Sequence, residues 1–118
     1  MMPTKETRRR LLRNGRLRKE LTEAGRREPD FAPDVKLFTP DADCAWLLTA
    51  LDPEDTDIAF GLCDLGMGCP ELGSVRISEL ESVRGRLGLP VERDRYFWPD
   101  KPLSSYAKKA RVAGRIRT

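Results

Sequence analysis

Charge falls along this chain in three blocks, and the blocks constrain the fold more than any single motif does. Residues 29–74 carry ten acids, Asp30, Asp34, Asp41, Asp43, Asp52, Glu54, Asp55, Asp57, Asp64 and Glu71, against one base, Lys36. Residues 1–28 hold ten Lys or Arg against four acids, and residues 75–118 hold eleven against five. The formal net charge of +3 therefore hides an acidic centre between two basic flanks. Most strand and turn signals also lie in the centre. It reads as a folded sheet, with flanks that keep their charged faces in water.

At 118 residues the chain suits one domain able to bury a real core, roughly 65% of its unfolded surface. The spacing divides it into a basic helical arm, 1–28, and an α+β domain, 29–118. Within the arm, residues 4–13 read as a short helix that stops at Asn14-Gly15. A second piece over 16–24 places Leu17, Leu21 and Ala24 on one stripe before Gly25. A linker with two prolines, 26–34, leads to strands at 35–38, 45–51, 58–65 and 74–77, with Asp52–Asp57 as a turn. Ser78-Glu79-Leu80-Glu81 has the form of a capping box opening a helix, with Leu80, Val83 and Leu87 facing the core. Residues 91–97 read as a charged edge strand. Leu103, Tyr106, Ala107 and Ala110 mark a final helix ended by Gly114. This order predicts an α+β fold: a small, mainly antiparallel sheet of three to five strands, with N-terminal, middle and C-terminal helices.

The chain contains no histidine. That removes Ser-His-Asp and Cys-His nucleophilic catalysis and the usual general base. Cys44, Cys63 and Cys69 are odd in number and not spaced as a zinc pair, so zinc is not expected and reduced thiols are. No apolar run approaches the roughly 20 residues of a membrane span, and the basic start lacks the apolar stretch of a secretory signal. The expected setting is cytoplasmic, with no membrane partner and no cofactor.

Three groups of residues carry possible chemistry. Asp52, Asp57, Asp64 and Glu71 are carboxylates that strand ends can bring together. Converging, they would hold Mg²⁺, with Asp64 and Glu71 as ligands, and would suit metal-dependent phosphodiester hydrolysis. Scattered, they are solvated turns. The glycines of 61–68 read as turn-formers rather than a phosphate cradle, since neither GxGxxG nor a P-loop is present. Arg8, Arg9, Arg10 and Arg13 in one flank, and Lys108, Lys109 and Arg111 in the other, can neutralise phosphates without reading sequence. Alternatively they dock on the acidic centre. Arg93 and Arg95 beside Tyr96, Phe97 and Trp98 combine bases with aromatics on an edge, a surface that suits single-stranded nucleic acid. At least two of those three aromatics are expected in the core, as are Trp46, Phe60 and Tyr106.

The segments KLFTPDADCAWLLTALDPEDTDIAFGLCDLGMGCPELG, ISELESVRGRLGLPVERD and KPLSSYAKKAR resemble a small bacterial family catalogued as domain of unknown function 2958. The resemblance covers roughly residues 5–117. It implies a single-domain protein of proteobacterial plasmids and integrative elements, and some members carry the label single-stranded DNA endonuclease. It carries over no catalytic residues. Family-like sequences have an aromatic where Cys69 stands here, which argues against a functional Cys69. The leading expectation is a non-enzymatic accessory protein of a mobile element that binds nucleic acid through its basic arms. The alternatives are a divalent-metal single-stranded DNA endonuclease, and a protein-interaction or anti-restriction module that uses the acidic face.

Overall fold

The computed structural model describes residues 4–118. Its elements are α1 (Lys5–Glu23), β1 (Val35–Phe38), β2 (Ala45–Asp52), β3 (Asp55–Asp64), β4 (Glu71–Arg76), α2 (Ile77–Ser82), β5 (Glu92–Arg93) and α3 (Leu103–Ala113). The five strands form one antiparallel sheet in the order β4-β3-β2-β1-β5. The fold is α+β, with helices at the start, middle and end.

Strand alternation gives the sheet two apolar faces. On one, Trp46, Leu48 and Leu51 of β2 meet Leu11 of α1 and Ile77 and Leu80 of α2. On the other, Leu47 and Leu62 meet Leu103, Tyr106, Ala107 and Ala110 of α3. The α3 stripe foreseen from its spacing is buried as a whole. Trp46, Leu48 and Leu51 share a face only because the register slips by one between Leu48 and Ala50, a β-bulge at Thr49.

That bulge is where α1 docks, and it explains why α1 is one continuous helix rather than two pieces broken at Asn14-Gly15. Asn14 donates its side-chain amide to the Thr49 carbonyl at 3.0 Å and to Asp34 at 3.1 Å. A Cβ on Gly15 would lie 1.7 Å from the Leu51 carbonyl oxygen. The glycine thus permits close contact between helix and strand instead of ending the helix. Leu11, fully buried one turn earlier, contributes on the order of 2 kcal/mol by its burial. The N-terminal arm therefore supplies a core residue.

Four further expectations are corrected. The 52–57 segment is not all turn: only Pro53 and Glu54 lie outside the strands, and Asp55-Thr56-Asp57 already belong to β3. The Ser78–Glu81 capping box does not form, because helix α2 begins two residues earlier, at Ile77, with Arg76 rather than Ser78 at its N-cap position. Asp57 on β3 takes the capping role, accepting from the Ser78 N–H at 2.9 Å and from the Ser78 hydroxyl at 2.7 Å. Helix α2 ends at Ser82, and Leu87, expected in its core stripe, is exposed. The 91–97 strand shrinks to two residues, because Asp94 folds the chain into a turn. No helix among the described residues is long and apolar enough to cross a membrane.

Candidate nucleic-acid interface

The edge strand β5 and the loop after it present the aromatic and basic residues together. Buried Val91 anchors the strand, and Arg93 and Glu92 pair with Leu37 and Phe38 of β1. The Asp94 N–H reaches the Lys36 carbonyl at 2.9 Å. The Asp94 carboxylate then accepts the Tyr96 N–H at 2.9 Å, a local Asx turn that ends the strand. On the far side of the loop the Phe97 ring packs on Tyr106, centroids 6.1 Å apart. The Tyr106 hydroxyl donates to the Asp100 carboxylate at 3.0 Å and accepts the Asp100 N–H at 3.2 Å. Lys101 and the Tyr106 hydroxyl hold the Asp100 carboxyl below its ordinary range. The loop is thus pinned at both ends. Between the pins, Tyr96 is 95% exposed and Trp98 85% exposed. The expectation that two of the three aromatics enter the core is corrected: only Phe97 packs inward. Trp46 and Tyr106 are buried as expected, and Phe60 is half-buried beneath the Arg18 guanidinium, 4.1 Å from its ring centre.

The bases divide into two sets. Arg10 pairs with Glu6 and Asp34, Arg18 with Glu28, Lys19 with Glu54, and Arg76 with Asp55 and Asp57. The Asp34, Glu54, Asp55 and Asp57 pairs dock the flanks on the acidic centre, while Arg10–Glu6 and Arg18–Glu28 stay within the N-terminal flank. Arg8, Arg9, Arg13, Arg93, Arg95, Lys108, Lys109 and Arg111 meet no carboxylate within 4.0 Å among the described residues. Helices α1 and α3 cover opposite faces of the sheet, and only their outer ends come near one another: Thr4 and Arg115 line neighbouring grooves, whereas Arg111 lines a separate one with Glu71 and Leu72 at the β4 edge. Thr4, at the start of α1, lines a groove of about 630 Å³ with Arg93, Arg95 and Tyr96. Arg115, after α3, lines a second of about 680 Å³ with Lys36. Phe38 and Asp94 belong to both grooves, so they meet along the β1–β5 edge.

The four candidate carboxylates do not form one site. Asp52 and Asp57 lie at the β2–β3 hairpin and Asp64 at the opposite end of β3, roughly 23 Å away along the strand at about 3.3 Å per residue. Asp52 accepts the Glu54 N–H at 2.9 Å, which closes the hairpin. The Ser78 hydroxyl and N–H hold the Asp57 carboxyl below its ordinary range. Asp64 is 3% exposed and accepts two backbone N–H groups. Glu71 is exposed at the start of β4. Among the described residues no three Cys, Asp or Glu side chains come together as metal ligands. The three cysteines are unpaired, and burial pushes the Cys44 and Cys63 thiols up.

The surface so defined is an edge of exposed aromatics and unpaired arginines on an antiparallel α+β sheet. The chain belongs to the family described as Protein of unknown function (DUF2958), whose model matches residues 2–117. Comparison with curated proteins and with solved structures returns no match.

Proposed function

We propose that this protein binds single-stranded nucleic acid, without sequence preference, along the β1–β5 edge. It would act as a non-enzymatic accessory factor in the mobile-element, cytoplasmic setting that its resemblance implies. The observation that carries the reading is the pair Tyr96 and Trp98, held out in water on a pinned loop beside Arg93 and Arg95. Large aromatic rings held out in water offer open faces on which a planar partner can stack. Any base can stack on such rings while arginines follow the phosphates. Duplex DNA keeps its base faces covered and offers these rings nothing to stack on.

Arg8 and Arg9 belong to the first turns of α1, whose start shares the groove with Arg95 and Tyr96. Four or five phosphate contacts from this set give a log–log salt slope of roughly −3 on a single strand. The test is anisotropy of a labelled oligothymidylate at low and moderate salt, with a duplex of equal length as competitor. Binding that weakens steeply with salt and resists the duplex supports the proposal. Tyr96→Ala and Trp98→Ala should each weaken it by about 1–3 kcal/mol. Absence of binding at low salt refutes it.

A further inference from the structure

We infer that Asp64 is a positioning residue for this interface: its buried carboxylate latches residues 114–118, so that Arg115 and Arg117 stand on the binding edge. The inference deepens the nucleic-acid reading and rests on it for its functional half. Its structural half rests on three fixings. Gly114 ends α3 in the left-handed conformation, φ +75°, and turns the chain against the Gly68 carbonyl. The Ile116 N–H donates to one Asp64 oxygen at 2.9 Å, while the Gly66 N–H donates to the other at 2.9 Å. Lys36 donates to the Thr118 hydroxyl at 2.7 Å.

The tail sequence Gly-Arg-Ile-Arg-Thr has one apolar residue and little reason to order itself. Half-buried Ile116 packs against the α3-side core. The tail therefore crosses from the end of β3 to β1 and becomes a wall of the groove that holds Lys36, Asp94 and Arg115. Through Phe38 and Asp94 that groove continues into the one lined by Arg93, Arg95 and Tyr96. Arginines fixed in advance lose less side-chain and loop freedom on binding than arginines on a loose tail. Both Asp64 oxygens serve main-chain donors of this chain, which gives the side chain a mechanical task in place of the catalytic one its charge suggests.

Two full-length variants and one truncation test this. Asp64→Asn keeps the shape but loses an acceptor. Ile116→Pro removes the N–H from outside the sheet, should Asp64→Asn not fold. The truncation ends at Gly114, alone and combined with Asp64→Asn. Two quantities are read: hydrogen exchange of the Ile116 amide, and the salt slope for oligothymidylate. The expected result is a protected Ile116 amide in the wild type, fast exchange in Asp64→Asn, and loss of the donor in Ile116→Pro. The salt slope should become shallower by about 1.4 in both variants, the share of two single-strand phosphate contacts, with a roughly tenfold weaker affinity. Asp64→Asn should add nothing once the tail is gone, an outcome that general destabilisation would not give. An unprotected Ile116 in a wild type that binds overturns the latch. An unchanged slope, or an equal loss in the truncated protein, overturns the positioning role. A wild type that binds no oligonucleotide overturns the proposed function and this role with it, while Ile116 exchange still reports whether the tail is fixed.

Discussion

Gly15→Ala should destabilise this protein although alanine is the better helix former. In an isolated helix the change gains about 1 kcal/mol. Here the new Cβ would lie 1.7 Å from the Leu51 oxygen and 2.9 Å from its carbonyl carbon, and ordinary contact begins at 3.4 Å. The obstacle is backbone in the middle of the sheet, so α1 must lift by about 1.7 Å. That lift loosens Leu11 and carries the Asn14 amide beyond hydrogen-bond reach of Thr49 and Asp34. Overpacking costs about 1–3 kcal/mol and each lost hydrogen bond about 1 kcal/mol. After the helix gain is set against these, a net loss of about 2–4 kcal/mol remains, or roughly 8–16 °C in Tm at about 4 °C per kcal/mol. Thermal and urea unfolding, followed by circular dichroism, measure it. An unchanged or raised Tm would refute the close docking of α1 and would fit a helix that breaks at Asn14-Gly15.

Asn14→Ala should lose stability at the same contact, by about 1–2 kcal/mol, and its effect should not add to that of Gly15→Ala; full additivity would separate the two. Asp57 and Asp100 have lowered carboxyl pKa values, so their charged forms favour the folded state. That contribution is present above the unfolded value of about 3.9 and is lost as pH falls through the lowered folded values. Asp57→Asn and Asp100→Asn should therefore melt below the wild type at neutral pH and converge with it in acid; a gap that persists in acid contradicts the assignment. Thiol titration at neutral pH should modify exposed Cys69 quickly and Cys44 and Cys63 slowly, since burial raises both of the latter. Equal rates for all three would contradict the packing. Replacing Arg93 and Arg95 together by Gln should make the salt slope shallower by about 1.4 with stability unchanged, since neither forms an ion pair among the described residues.

Local signals carried far into the fold. The strand at 35–38 and the stripe Leu103, Tyr106, Ala107 and Ala110 were legible because one periodicity and one stop signal decided each. What failed was decided at a distance. Asn14-Gly15 reads as a stop, and only the bulge at Thr49 turns it into a docking point. The Ser78 capping box lost to a carboxylate 21 residues earlier in the chain. The three charge blocks proved to be partners: Asp34, Glu54, Asp55 and Asp57 hold Arg10, Lys19 and Arg76, and most remaining acids hold turns and caps. Aromatics next to arginines at 93–98 were visible in sequence. Which rings face water was not, because Phe97 points inward only through Tyr106 of α3.

Stacking of Trp98 and Tyr96 on the bases of a single strand would be reported by tryptophan emission. Trp46 is buried at 2% exposure and Trp98 is 85% exposed, so the water-facing part of the emission belongs to Trp98. Titration with oligothymidylate at low salt should quench that part in step with binding followed by anisotropy. In Trp98→Ala the quench should vanish and the affinity should fall by about 1–3 kcal/mol. Binding that leaves Trp98 emission untouched, with Trp98→Ala as tight as the wild type, would contradict the account.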